Sequence, residues 1–250
     1  MKRFATIILV FAFSLNANCE YAIVKDKDGF VNVRESQSIS SKIFGTIKDG
    51  EIIDVFAAND EPTDVWYGVS FLVPKSKVDT NKDEWAGYKI GTDSIWVTGY
   101  VHKSRLKLVS EMDEFKGHYR SSKEYFSFTN DSINLKIMFE PFKLAEHKII
   151  RDQYGDFKLI DGQEPLGVIN LIPEYFIKKV ELTINGESVK IKKQLYRNMY
   201  EIDQSYIRLR IFNGDIYLDM PHNSDGGGSW EALWVIRNGK IIKSMSEGMC

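Results

Sequence analysis

Three Asn-Gly dipeptides, Asn185-Gly186, Asn213-Gly214 and Asn238-Gly239, each lie between runs in which apolar residues recur at every second position. Asn-Gly tolerates the positive φ that both central residues of a tight two-residue hairpin turn require, and that turn twists in the same sense as the strands it joins. Each dipeptide therefore predicts a hairpin: residues 180–184 against 188–191, 206–212 against 215–220, and 233–236 against 240–242. Period and turn chemistry agree in all three. Asp28-Gly29, Asp49-Gly50 and Asp161-Gly162 supply further turns, and from Tyr21 onward short apolar and β-branched runs alternate with them. Helical signals are sparse. Residues 173–179 predict one or two helical turns with Pro173 near the start, and residues 193–200 predict another short helix. Neither is long enough to form a helical layer. No internal repeat with a period of roughly 20–50 residues is visible, which argues against a propeller or solenoid.

The first residues have a different character. Lys2 and Arg3 precede an apolar run from Phe4 to Phe13, and Ser14, Leu15, Asn16 and Ala17 follow. This is the layout of a secretory signal peptide, assigned to residues 1–17. As a helix the run reaches only about 15 Å, half the roughly 30 Å of a bilayer core, so no transmembrane span is expected. Cleavage before Asn18 is the first choice. Cleavage after Cys19, or a lipid anchor on Cys19, are the alternatives. If Cys19 is retained unmodified, an oxidising compartment would let it pair with Cys250, the only other cysteine. The expected location is outside the cytoplasm, with the periplasm first.

Charge is balanced. The 250 residues carry 33 basic and 35 acidic side chains, for a formal net charge of -2. Residues 20–109 hold 12 basic and 14 acidic residues, and residues 110–250 hold 19 and 21. Neither half is a basic arm that would release counterions from a nucleic acid, so no nucleic-acid partner is expected. The polar, acidic stretch from Ser110 to Lys116 marks the boundary between two domains, at 20–109 and 117–250.

The first of these resembles a known family. Gly29-Phe-Val-Asn-Val-Arg34 is followed by a serine-rich loop, then Ile43-Phe-Gly-Thr-Ile47 and a Lys48-Asp-Gly50 turn. Trp66-Tyr-Gly-Val69 supplies a central strand, and Gly99-Tyr-Val-His-Lys-Ser-Arg-Leu106 a closing one. In this order the segments are similar to the bacterial SH3-like domains, over residues 21–109. The resemblance implies a small half-open barrel with Val31, Val33, Ile43, Ile47, Ile52 and Val55 in its core. It also implies a binding role, because many such domains occur in exported or envelope proteins and recognise peptidoglycan or peptide segments. Asn32 and Arg34 are expected to tie loops by hydrogen bonds. One departure is a long polar insertion between Phe71 and Trp96 that carries Trp85 and Tyr88.

Residues 110–250 offer no catalytic frame. Cys250 is terminal with no histidine after it, which removes a cysteine-peptidase reading. His102, His118, His147 and His222 form no zinc-binding pair, and no serine nucleophile elbow is present. The segment Pro221-His-Asn-Ser-Asp-Gly-Gly-Gly-Ser-Trp230 reads as a wide hairpin loop, with a ligand cradle using Asp225 and His222 as the functional alternative. Paired carboxylates for glycoside cleavage cannot be singled out by spacing.

The expected molecule is mainly β: an SH3-like half-open barrel followed by a β-rich domain, sandwich-like or α+β. It is expected to be a non-catalytic envelope protein that binds peptidoglycan or a secreted or envelope protein, with no cofactor or metal. The candidate ligand residues are Trp66, Trp85, Tyr88, Asp225 and Trp230. An inhibitor or immunity protein acting on a toxin or wall hydrolase is the alternative. An unrecognised enzyme centred on Asp225 and His222 is the third reading.

Overall fold

A computed structural model describes residues 19–57, 65–74, 89–90, 94–222 and 229–248. The signal-like segment, Trp85, Tyr88, Asp225 and Cys250 lie outside the described residues. The fold is mainly β, built from several antiparallel sheets, and no α-helix occurs among the described residues.

The first sheet collects β1 (Cys19–Val24), β2 (Phe30–Arg34), β3 (Ile43–Lys48), β4 (Ile52–Ala57), β5 (Trp66–Pro74), β7 (Ser94–His102) and β8 (Leu106–Leu108). Their order is β3-β2-β7-β5-β4-β1-β8, and the short β6 (Lys89–Ile90) pairs with β7. Val24, Val33, Val55, Val69 and Val101, from five strands, meet in one apolar cluster. Strands as far apart in the order as β2 and β1 touch through it, so the sheet is strongly curled. The insertion after Phe71 prolongs the β5–β7 hairpin, with Pro74 opposite Ser94.

Of the six core positions expected here, Val31, Val33, Ile52 and Val55 are buried and Ile47 is partly so. Ile43 is not: it is 45% exposed, and Phe44 takes the inward position. The cause is a register shift between Val33 and Arg34, which puts one extra residue in β3 and reverses its alternation.

Two further five-stranded sheets follow. One has the order β10-β11-β12-β15-β16, from His118–Ser121, Tyr125–Thr129, Ile133–Pro141, Tyr175–Ile184 and Glu187–Ser188. The other, the central sheet, has the order β20-β19-β18-β17-β9, from Lys240–Gly248, Trp230–Arg237, Asp215–His222, Arg208–Phe212 and Asp113–Glu114. A separate hairpin joins β13 (Ile149–Arg151) to β14 (Phe157–Ile160). All three Asn-Gly hairpins form. Each Asn has φ near +50°, followed by a positive-φ Gly, as the turn requires. Tyr206, expected in a strand, lies in a short 3-10 turn before β17.

The expected helix at 173–179 is instead the start of β15, which pairs with β12 along its length. Ile177, Val180 and Leu182 face the core, and long-range pairing outweighs the helix-start preference of Pro173. At 193–200 a single 3-10 turn, Lys193–Leu195, replaces the expected helix.

Layering follows from strand alternation. Ile216, Leu218, Met220, Ala232, Trp234 and Ile236 point from the central sheet toward Phe128, Leu135, Ile137 and Leu182, forming a sandwich with a dry core. The opposite face presents Tyr217, Leu233 and Val235, which pack on Tyr21, Ile23 and Ile52 of the first sheet. The central sheet is therefore covered on both sides, and every residue from Trp230 to Ile236 is buried. The polar stretch at 110–116 is not a free tether. Val109 and Met112 are buried in the contact between the sheets, and Asp113–Glu114 pairs with β17.

Candidate functional site

The first sheet carries a surface cleft of about 330 Å³. Its walls come from the motif-bearing strands. Because Val31 and Val33 point into the core, Phe30, Asn32 and Arg34 fall on the opposite face of β2 and line the cleft. Phe30 is 44% and Ile39 78% exposed, so both offer apolar surface to a visitor. Arg34 does what its motif suggested: Nη1 donates to the Ser41 carbonyl oxygen at 2.9 Å and fixes the serine-rich loop.

Trp66, at the start of β5, lies directly across the ladder from His102 at the end of β7. Their rings meet edge to face, with centroids 5.1 Å apart and planes at 80°. Trp66 is only 7% exposed, so it forms the floor of the cleft while Phe30 forms a rim. The orientation of His102 is fixed by its neighbour: its Nδ1 accepts from the Ser104 backbone N–H at 3.2 Å. A backbone N–H can only donate, so Nδ1 carries the lone pair and the neutral ring holds its proton on Nε2.

The charged wall is built by Asp26, Asp28 and Arg105. Arg105 Nη1 lies 2.7 Å from Asp26 Oδ2 and 3.7 Å from Asp28 Oδ2. Asp26 is buried, and its Oδ1 also accepts the Asp28 N–H at 2.9 Å. Asp28 is exposed, with 61% of its side chain in solvent. The cleft thus combines a buried aromatic floor, an apolar rim and charges of both signs.

The proposed ligand residues separate. Trp66 lies in the cleft. Trp230 is 1% exposed and packs in the sandwich core, where its indole edge abuts Gly167. Trp230 is therefore a core residue and not a surface contact. Its place at the end of a glycine-rich segment suggested exposure, but strand pairing of Trp230 with His222 and Gly248 draws the ring inward. Trp85, Tyr88 and Asp225 lie outside the described residues.

Sequence reasoning missed a second polar group, between the first and central sheets. Asp219 and Glu231 stand diagonally on adjacent strands, two pairs apart in register, on the face turned toward β1. Burial first, then the neighbouring Asp219 charge and hydrogen bond, push the Glu231 carboxyl up, to about 9. Burial also raises Asp219, opposed by its hydrogen bond with Glu231 and the nearby Arg210 charge. Glu231 therefore holds the proton and donates to Asp219. Glu20 is raised as well, by burial first. The Tyr21 hydroxyl donates to the Glu231 carbonyl oxygen at 3.3 Å and stitches β1 to β19.

No helix among the described residues is long and apolar enough to cross a membrane. Among the described residues no cluster of three or more His, Cys, Asp or Glu is placed to hold a metal ion. No family model, no curated protein and no solved structure matches this chain.

Proposed function

We propose that the protein is an exported, non-catalytic binding protein of the cell envelope, and that the Trp66 cleft takes an extended peptide, either a peptidoglycan stem or a protein segment. The observation that carries this reading is the cleft's composition. Exposed Phe30 and Ile39 sit beside Asp28 and Arg105 over the Trp66 floor. A peptide presents amines, carboxylates and short apolar side chains together, and this wall matches all three. The signal-like segment and the SH3-like motif order support the same reading from the sequence.

Co-sedimentation of the purified protein with peptidoglycan sacculi tests it. Retention at low salt that falls several-fold in Phe30→Ala and Ile39→Ser is expected, because apolar rim anchors carry binding energy. If the unmodified protein stays in the supernatant, and pull-down from envelope extract yields no peptide or protein competed by the same substitutions, the reading is lost.

A further inference from the structure

A second cavity, of about 240 Å³, opens among residues 142–200, none of which lines the Trp66 cleft. Its inner wall is an aromatic cluster. His147 stacks on Phe142 with centroids 4.3 Å apart and planes at 7°, and Phe176 meets His147 edge to face at 5.6 Å. Tyr200 closes on Phe142 at 5.8 Å. Ile160 and Ile177 complete the apolar surface.

The only carboxylate lining this cavity is already committed. Asp161 Oδ2 lies 2.7 Å from His147 Nδ1, and Oδ1 accepts the Lys148 N–H at 2.9 Å. Asp161 itself sits in an Asp-Gly turn with φ +51°, which aims its side chain back at His147. Burial would raise its carboxyl, but the His147 and Lys148 hydrogen bonds and the nearby Lys193 charge outweigh that and hold it low. Facing it, Lys193 and Arg197 stand exposed on the rim and make no ion pair among the described residues. The Arg197 Nε donates to Gln163 Oε1, which fixes the guanidinium and leaves its terminal nitrogens for a visitor. The Tyr200 ring is buried, and its hydroxyl makes no hydrogen bond to the described residues.

Two cations that make no ion pair within the described residues, over one satisfied carboxylate, leave an excess positive charge above an aromatic wall. We infer that this cavity is a binding site for a small anionic ligand with a flat apolar body, the anion held by Lys193 and Arg197 and the body against Phe176 and Tyr200. A guanidinium grips a carboxylate or a phosphate equally well in this geometry, so both head groups fit. The volume admits one ring with its head group, since a water molecule takes about 30 Å³.

Titration calorimetry and NMR on the full chain test this with four probes: 4-hydroxybenzoate, phenyl phosphate, benzyl alcohol and inorganic phosphate. Binding of one or both aromatic anions is expected, with perturbed His147 and Tyr200 resonances. Which of the two binds more tightly identifies the head group. Benzyl alcohol and inorganic phosphate should bind at least about tenfold more weakly, each lacking half of the recognition. Lys193→Gln and Arg197→Gln, both on the exposed rim, should each weaken the aromatic anion about tenfold while leaving the melting temperature close to that of the unmodified protein. Equal binding of inorganic phosphate, unchanged affinity in both variants, or no binding of either aromatic anion would each overturn the inference. Loss of sacculus binding in the Phe30 variant leaves these outcomes unaffected, so the two sites are judged separately.

Discussion

The two faces of the central sheet come from alternate residues of the same strands, yet they do different jobs. One face, Ile216, Leu218, Met220, Trp234 and Ile236, meets apolar and aromatic partners from the β10–β16 sheet and from the segment around Tyr196 to Ile207. The other meets the first sheet with Tyr217, Leu233 and Val235, but carries Asp219 and Glu231 among them. The first face is an ordinary sandwich core. The second is a contact between sheets that keeps polar groups under cover, Asp219 and Glu231 among them. A dry core draws its stability from area and packing alone. A mixed contact depends on which groups hold a proton.

Substitutions can set these faces against each other. Trp234→Ala removes a fully buried ring from the dry face. It should cost about 3–5 kcal/mol in urea unfolding, at all pH values alike. A small loss would mean that this ring is not part of a packed core.

The mixed face should respond to pH instead. Glu231 and Asp219 bind protons more tightly when folded than when unfolded, so their contribution is complete below their ordinary carboxyl range. It is lost as pH rises, until Glu231 ionises near 9. Between pH 5 and 9 the unmodified protein should lose stability progressively, with a slope of at most ~1.4 kcal/mol per pH unit for each proton released. Glu231→Gln should flatten that dependence while leaving the low-pH stability nearly unchanged. Melting curves at a series of pH values decide the point, and a slope unchanged by Glu231→Gln would detach the effect from this pair.

Gly167 lies beside the dry core, with φ +85°, and a Cβ there would fall 2.5 Å from Trp230 Nε1 and 2.6 Å from the Tyr200 carbonyl oxygen. Backbone atoms cannot yield as a side chain can, so Gly167→Ala should cost about 1–3 kcal/mol by thermal unfolding. The smallest effect belongs to Tyr21→Phe, which deletes the hydroxyl bonded to the Glu231 carbonyl. It should cost about 1 kcal/mol. A loss as large as that of Trp234→Ala would make the mixed contact, not the dry core, the principal source of stability.

Much of the fold was legible because its cues are local. The three Asn-Gly hairpins combine turn chemistry with a period of two, and both act between neighbouring stretches of chain. The expectation failed where distant pairing decides. Residues 173–179 carry a helix-start proline, but β12 recruits the segment as a strand. Ile43 follows the right period, yet a one-residue bulge turns it outward. Of the residues lining the cleft, the sequence names Trp66 as a ligand candidate, while Asn32 and Arg34 read as loop ties. The facing of Trp66 and His102 was not legible, because 36 residues separate partners that only the β5–β7 register brings together.

Asp219 makes the division clearest. In the alternation of β18 it occupies a position opposite to Ile216, Leu218 and Met220, which by itself reads as the solvent side. Strand alternation alone separates Asp219 from the apolar side of Ile216, Leu218 and Met220, whereas the β18–β19 register puts Glu231 beside it. That the face is covered by β1 and β4 was decided only by the tertiary structure, as was the burial that raises both carboxyls there. Strand period records which side a residue takes. It holds no record of what packs against that side, because burial is set by contacts between segments roughly 200 residues apart, such as Tyr21 and Glu231.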